Sequence, residues 1–165
     1  MKPVRVNVEK VIDGDSLIIN YGNTSINVRM RFIDTPELKK PWENSEDKRV
    51  LQHWQWGINA KLFLTSLIPK DNILYCYKYE KDIYNRDLVD LYTSNVINQK
   101  SNLQLNMCDA GMTAYFVPFY YDFTSNRELD LFLKIIRQCA IAKNKKVGFW
   151  KDNILLPYQI KSMKF

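Results

Sequence analysis

Two acidic clusters, Asp13-Gly14-Asp15 and Asp34-Thr35-Pro36-Glu37, lie in a basic chain, with Arg29 just ahead of the second cluster and Arg86 on a distant polar turn. Carboxylates on tight turns can hold a hard divalent cation, and guanidinium groups can grip the phosphate whose bond is to be broken. Together they read as a site for phosphodiester cleavage. Each cluster alone also has a plainer reading. Asp-Gly is a favoured turn pair, and the proline after Thr35 holds that residue extended. The pairing on neighbouring strands, with an arginine between, favours chemistry. One geometric difficulty stands: in a regular strand Arg29 and Asp34 point to opposite faces, so their convergence requires a bulge or strong barrel twist.

The elements that must position these residues follow from periodicity. Val4, Val6 and Val8 alternate with polar residues, Ser16 to Tyr21 and Thr24 to Ile33 follow, and Tyr21-Gly22-Asn23 supplies a turn, so the first third predicts a β meander with the acids at strand ends. Residues Leu38 to Gln52 read as an exposed loop that could close over a substrate or be a plain surface loop. From Leu51 the spacing turns helical, with Leu51, Trp54, Ile58 and Leu62 on one face before Pro69 stops the helix. Ile73 to Tyr79 and Leu88 to Tyr92 predict a hairpin whose turn carries Asn85 and Arg86. Leu103, Met107 and Ala110 make a short helix ended by Gly111. Ser125 and Glu128 form a capping-box pattern ahead of a helix with Leu129, Phe132, Leu133, Ile136 and Ala140 on one face. No repeat or low-complexity linker divides the chain, so one domain over 1–165 is expected: mainly β, a small barrel packed with about three α-helices.

The chain has 165 residues, 46% of them hydrophobic, which is enough for a real core and argues against disorder. Its 24 basic against 18 acidic residues give a net charge of +6, which favours a polyanionic partner or merely serves solubility. Cys76, Cys108 and Cys139 lack paired zinc spacing and read as buried thiols. His53 has no ligand-spaced partner and reads as a surface or helix-start residue. Tyr84, beside Arg86, is the best candidate for stacking on a base, whereas Tyr115, Phe116 and Phe119 read as core. The apolar run from Ala114 to Tyr121 is too short to span a bilayer and is broken by Pro118, so no membrane segment is expected.

Four segments in register resemble the staphylococcal nuclease (thermonuclease) family: Val11-Ile12-Asp13-Gly14-Asp15-Ser16, Arg29-Met30-Arg31-Phe32-Ile33-Asp34-Thr35-Pro36-Glu37, Tyr84-Asn85-Arg86-Asp87-Leu88 and Gly148-Phe149-Trp150. The resemblance implies a five-stranded OB-fold barrel with three helices. It implies calcium bound by Asp15, Asp34 and the Thr35 carbonyl, with Asp13 in the outer shell. Glu37 resembles the residue that positions or activates the attacking water, and Arg29 and Arg86 resemble the pair that binds the scissile phosphate. One departure is visible: the family's frequent Lys-Tyr-Gly-Arg turn reads Ile83-Tyr84-Asn85-Arg86 here, and Asn85 can take the left-handed backbone that glycine would adopt.

The expectation is a calcium-dependent nuclease cutting DNA and RNA with low sequence specificity and leaving 3′ phosphates. A noncatalytic OB-type nucleic-acid-binding module is the alternative. A monomer is expected. With no apolar leader at the N-terminus the chain reads as cytoplasmic, and as secreted or surface-anchored if a signal was trimmed, which a weak calcium site would favour.

Overall fold

A computed structural model describes residues 2–117 and 123–163. Strands β1 (Val4–Val11), β2 (Ser16–Tyr21), β3 (Thr24–Met30), β5 (Ile73–Lys81) and β6 (Asp87–Tyr92) close into a barrel in the order β1-β2-β3-β6-β5. This is an OB-fold barrel, as expected. All pairs are antiparallel except β3 with β6. Register shifts between Val8 and Lys10 and between Lys78 and Lys81 add local twist, which helps so few strands close on themselves.

The inward alternation of Leu17, Ile19, Val28, Met30, Leu74, Val89 and Leu91 fills the barrel. Helix α2 (Leu103–Asp109) and helix α3 (Asn126–Asn144) cover it with Leu103, Leu105, Met107, Leu131 and Ile135. Asn102 caps α2, its Oδ1 accepting the Leu105 N–H at 2.8 Å. Cys76, Cys108 and Cys139 are free and buried, as their spacing suggested.

Several expectations are corrected. The strand from Thr24 does not run on to Ile33. It breaks after Met30, where Phe32 takes φ 64°, and restarts as β4 (Ile33–Asp34), which pairs with β7 (Ala114–Tyr115) instead of the barrel. The loop after Glu37 ends at Asp47, because residues 48–52 already belong to helix α1 (Lys48–Leu67), whose first turn is capped by the Asp47 carboxylate. The buried residues of α1 are Val50, His53, Trp54, Trp56, Gly57, Ala60 and Leu64, while Leu51, Ile58 and Leu62 stay exposed. In α3 the buried set is Glu128, Leu131, Phe132, Ile135, Cys139 and Ala142, and Leu129, Leu133 and Ala140 face solvent.

A fourth helix, α4 (Pro157–Lys161), follows a 3-10 turn at Gly148–Lys151. Its proline occupies the first turn, where a missing N–H costs nothing. Ile160 packs against Val50 and Trp54 of α1, so the C-terminal segment lies across the start of that helix.

Ser125 caps α3, its Oγ accepting the Glu128 N–H at 3.4 Å, and Glu128 has further partners. The Glu128 carboxylate accepts from Thr124 Oγ1 at 2.8 Å and lies 3.4 Å from Arg31, which is itself 2% exposed. Arg31 donates through Nε and Nη2 to both oxygens of buried Asp90, at 2.9 and 2.7 Å, and stacks on Tyr79. Burying a charge is tolerated only when it is paired and hydrogen-bonded, and this network meets that condition.

Candidate active site

Barrel register explains why residues distant in sequence meet. Ser16, next to Asp15, stands opposite Arg29 on β3, and Arg29 stands beside Leu88 on β6, two residues past Arg86. The N–H of Met30 also donates to the Asp15 carbonyl at 2.9 Å, which holds the first acidic turn against β3. The break at Phe32 then removes the difficulty posed by strand alternation. Arg29 Nη1 donates to Asp15 Oδ1 at 2.7 Å and Nη2 to Asp34 Oδ1 at 2.8 Å, so one guanidinium bridges the two acidic clusters.

Two glycines permit the close approach. A β-carbon on Gly14 would meet Thr35 Oγ1 at 2.7 Å, so only a bare backbone lets the first acidic turn rest on the second. A β-carbon on Gly57 of α1 would meet the Glu37 carbonyl at 2.2 Å, so α1 presses directly on the Glu37 backbone.

The structure places the sequence-derived residues as follows. Asp15, Asp34 and Thr35 are buried, and the Thr35 N–H donates to Asp15 Oδ2 at 3.1 Å. Asp13 accepts the Asp15 N–H at 3.0 Å, an Asx-type turn that shapes the cluster. Arg86 lies within reach of Ser16, 3.4 Å from its Oγ, but is held mainly by Asp82, whose Oδ2 accepts from Nε at 2.8 Å and from Nη2 at 2.7 Å. Asp87 points away from Arg86 and faces Lys78 and Lys81. Asn85 has φ 62°, the left-handed turn expected of it. Tyr84 is 73% exposed, with Arg86 5.4 Å from its ring centroid.

Two other aromatic readings change. Tyr115 and Phe116 are not core, and Phe116 lies 5.8 Å from the Arg29 guanidinium carbon. Phe119 lies outside the described residues. A groove of about 1030 Å³ is lined by Arg29, Glu37, Tyr84, Arg86 and Phe116, with Asp13 and Lys161 also on its wall.

Sequence reasoning missed two residues at this site. His53 is neither on the surface nor at a helix start. It is wholly buried in α1, its Nε2 accepting the Glu37 N–H at 2.7 Å and its Nδ1 facing the Leu155 carbonyl at 2.7 Å. Nδ1 therefore carries the proton and the ring is neutral. Its position four residues before Gly57 was the available signal, since i and i+4 share a helix face. The second is Lys161, at the end of α4, whose Nζ reaches Asp34 Oδ1 at 2.6 Å and Glu37 Oε1 at 3.0 Å. A five-residue helix carries no readable periodicity, so nothing in the sequence marked it.

The electrostatics reflect a surplus of acid. Burial pushes the Asp13 carboxyl up to about 7, and the neighbouring Asp15 and Glu37 carboxylates push in the same direction. Burial also acts to raise Asp15, but the Arg29 guanidinium and the Thr35 N–H outweigh it and hold Asp15 below the ordinary aspartate range. Burial would lower Lys161, yet Asp34 and Glu37 hold it above the ordinary lysine value.

Four carboxylates thus face two cationic groups, Arg29 and Lys161. As arranged, no group of three acidic, imidazole or thiol side chains among the described residues stands close enough to enclose an ion. The donors are nevertheless all hard oxygens and carry excess negative charge, which suits a hard divalent cation better than a softer metal.

Residues 27–152 match the family described as "Staphylococcal nuclease homologue". The chain belongs to that family. The matched region of this staphylococcal nuclease homologue contains Arg29, Asp34, Thr35, Glu37 and Arg86, and leaves out Asp13, Asp15 and Lys161. It is 28% identical over 157 residues to an "uncharacterized protein" of Methanocaldococcus jannaschii, covering 87% of this chain and 70% of that one. It is 29% identical over 147 residues to an "uncharacterized endonuclease" of Haemophilus influenzae, covering 88% of this chain and 66% of that one. Among the described residues no helix is long and apolar enough to cross a membrane.

Proposed function

We propose that the protein is a calcium-dependent nuclease that hydrolyses phosphodiester bonds of DNA and RNA with low sequence specificity and leaves 3′ phosphates. The observation that carries this reading is one groove in which Arg29 joins Asp15 to Asp34 while Glu37 and Arg86 line the same space, in a chain of the staphylococcal nuclease family. The endonuclease name of the Haemophilus relative points the same way.

In this reading Asp15, Asp34 and the Thr35 carbonyl hold the calcium ion, with Asp13 behind them. When bound, calcium would supply positive charge against the phosphate and its leaving oxygen. Glu37 takes a proton from water as the water oxygen bonds to phosphorus. The bond from phosphorus to the 5′ oxygen breaks, its electron pair stays on that oxygen, and a proton from solvent completes the leaving group. Arg29 and Arg86 grip the phosphate oxygens as their charge grows, an electrostatic contribution strongest in the transition state. His53 and Gly57 are positioning residues, fixing the Glu37 backbone from the side of α1.

A pair of variants tests the assignment. Asp34→Asn should lose both calcium affinity and turnover, and added calcium should recover part of the activity. Glu37→Gln keeps the shape but cannot accept a proton, so turnover should fall by about 10² to 10⁴ with little change in calcium affinity. Loss of calcium binding in Glu37→Gln as severe as in Asp34→Asn would make Glu37 a ligand and move the base elsewhere.

A further inference from the structure

The described C-terminal segment is fastened along α1 at three points. Asp152 Oδ2 accepts from Trp56 Nε1 at 2.7 Å, the Leu155 carbonyl accepts from His53 Nδ1 at 2.7 Å, and Ile160 is buried against Val50 and Trp54. These contacts fix the backbone from which Lys161 projects. Its flexible stem then carries the ammonium to Asp34 and Glu37, while the side chain remains 43% exposed.

Asp34 Oδ1 already accepts from Arg29 Nη2 at 2.8 Å, so with Lys161 Nζ at 2.6 Å both lone pairs of that oxygen are in use. A calcium ion on Asp34 would sit roughly 2.3–2.6 Å from a carboxylate oxygen, beside the ammonium and with the same sign of charge. Arg29 is the less able of the two to yield. Its side chain is 11% exposed and tied to both Asp15 and Asp34. Lys161 is more exposed, and a swing of its stem leaves the anchors of α4 intact.

We propose that Lys161 is an intramolecular competitor for the divalent cation: it holds Asp34 and Glu37 together in the metal-free protein and must leave Asp34 when the ion binds. The device rests on the reading of Asp34 as a metal ligand. It keeps two buried or half-buried carboxylates compensated without metal and sets the cation concentration at which the site loads. The competition is reciprocal, so the ion must also release Lys161.

Calorimetric titration of the full chain with calcium alone, without nucleic acid, tests this directly. Lys161→Met should bind calcium about tenfold or more tightly than the unaltered protein, and Lys161→Arg, which keeps the charge, should stay near it. Equal or weaker binding by Lys161→Met, with binding lost in Asp34→Asn, overturns the competition and leaves the site reading standing. Unchanged binding in Asp34→Asn, or no binding by either the unaltered protein or Lys161→Met, overturns both. A second measurement needs no variant. Acetic anhydride should acetylate Lys161 faster, by peptide mass spectrometry, when calcium saturates the protein. Slower or unchanged labelling under calcium-bound conditions contradicts the proposal.

Discussion

His53 ties Glu37 to the C-terminal segment: its Nε2 accepts the Glu37 N–H at 2.7 Å and its Nδ1 donates to the Leu155 carbonyl at 2.7 Å. One neutral ring thus joins the candidate base to the chain that delivers Lys161. Protonation would turn the acceptor nitrogen into a donor aimed at an N–H, so the contact requires the neutral form.

The ring should titrate accordingly. Burial is the main cause holding His53 below its ordinary value of about 6.5. Between 6.5 and its lower folded value the unfolded chain binds a proton that the folded one does not, so this group's stabilisation is complete above 6.5 and is lost as pH falls. Asp13, raised to about 7, acts in the opposite sense, because the folded chain holds its proton where the unfolded one has released it. The difference in unfolding free energy between the unaltered protein and His53→Gln isolates the histidine. It should grow with pH below 6.5, by at most about 1.4 kcal/mol per pH unit. As the chain has one histidine, its proton resonance reads the titration directly, and a midpoint at or above 6.5 would contradict the assignment.

Arg86→Ala should lower turnover by orders of magnitude and barely alter stability. Its partner Asp82 is partly exposed and the pair closes a local turn, an interaction worth about 0–1 kcal/mol. Urea unfolding alongside initial rates checks both halves. A large stability loss with normal specific activity of the folded fraction would make Arg86 structural.

Tyr84→Ala should weaken single-strand binding by about 1–3 kcal/mol, since an exposed ring next to Arg86 can stack on a base. Equilibrium binding with a Glu37→Gln background, which slows cleavage, provides the measurement. Unchanged affinity would remove Tyr84 from the interface.

Arg31→Ala should destabilise the fold by about 3–5 kcal/mol, because it leaves the Asp90 carboxylate buried without its bidentate partner. Denaturant unfolding reads this, and a loss under about 1 kcal/mol would show that Tyr79, Gln104 and Arg127 suffice to hold Asp90.

The barrel and the acidic turns were legible because alternation and turn chemistry are local: Val28 and Met30 point inward, and Asp13 shapes its own turn. Helix faces were read one step off phase. In α1 the buried stripe runs through His53, Gly57 and Ala60, chosen for close approach to Glu37 and Gly14 and not for hydrophobicity, while Leu51, Ile58 and Leu62 advertise the wrong side. The Arg29–Asp34 contact was hidden because it depends on the positive φ of Phe32, which no bulky residue announces. Lys161 was hidden because its position comes from tertiary contacts of Leu155 and Ile160 with α1.

Cleavage of end-labelled single-stranded DNA and RNA by the purified full chain tests the central claim most directly. With millimolar calcium both substrates should be cut to products bearing 3′ phosphates, and excess chelator should stop the reaction. If the protein binds both substrates in calcium yet leaves them intact over hours, the groove is a noncatalytic nucleic-acid-binding surface and the nuclease account is wrong.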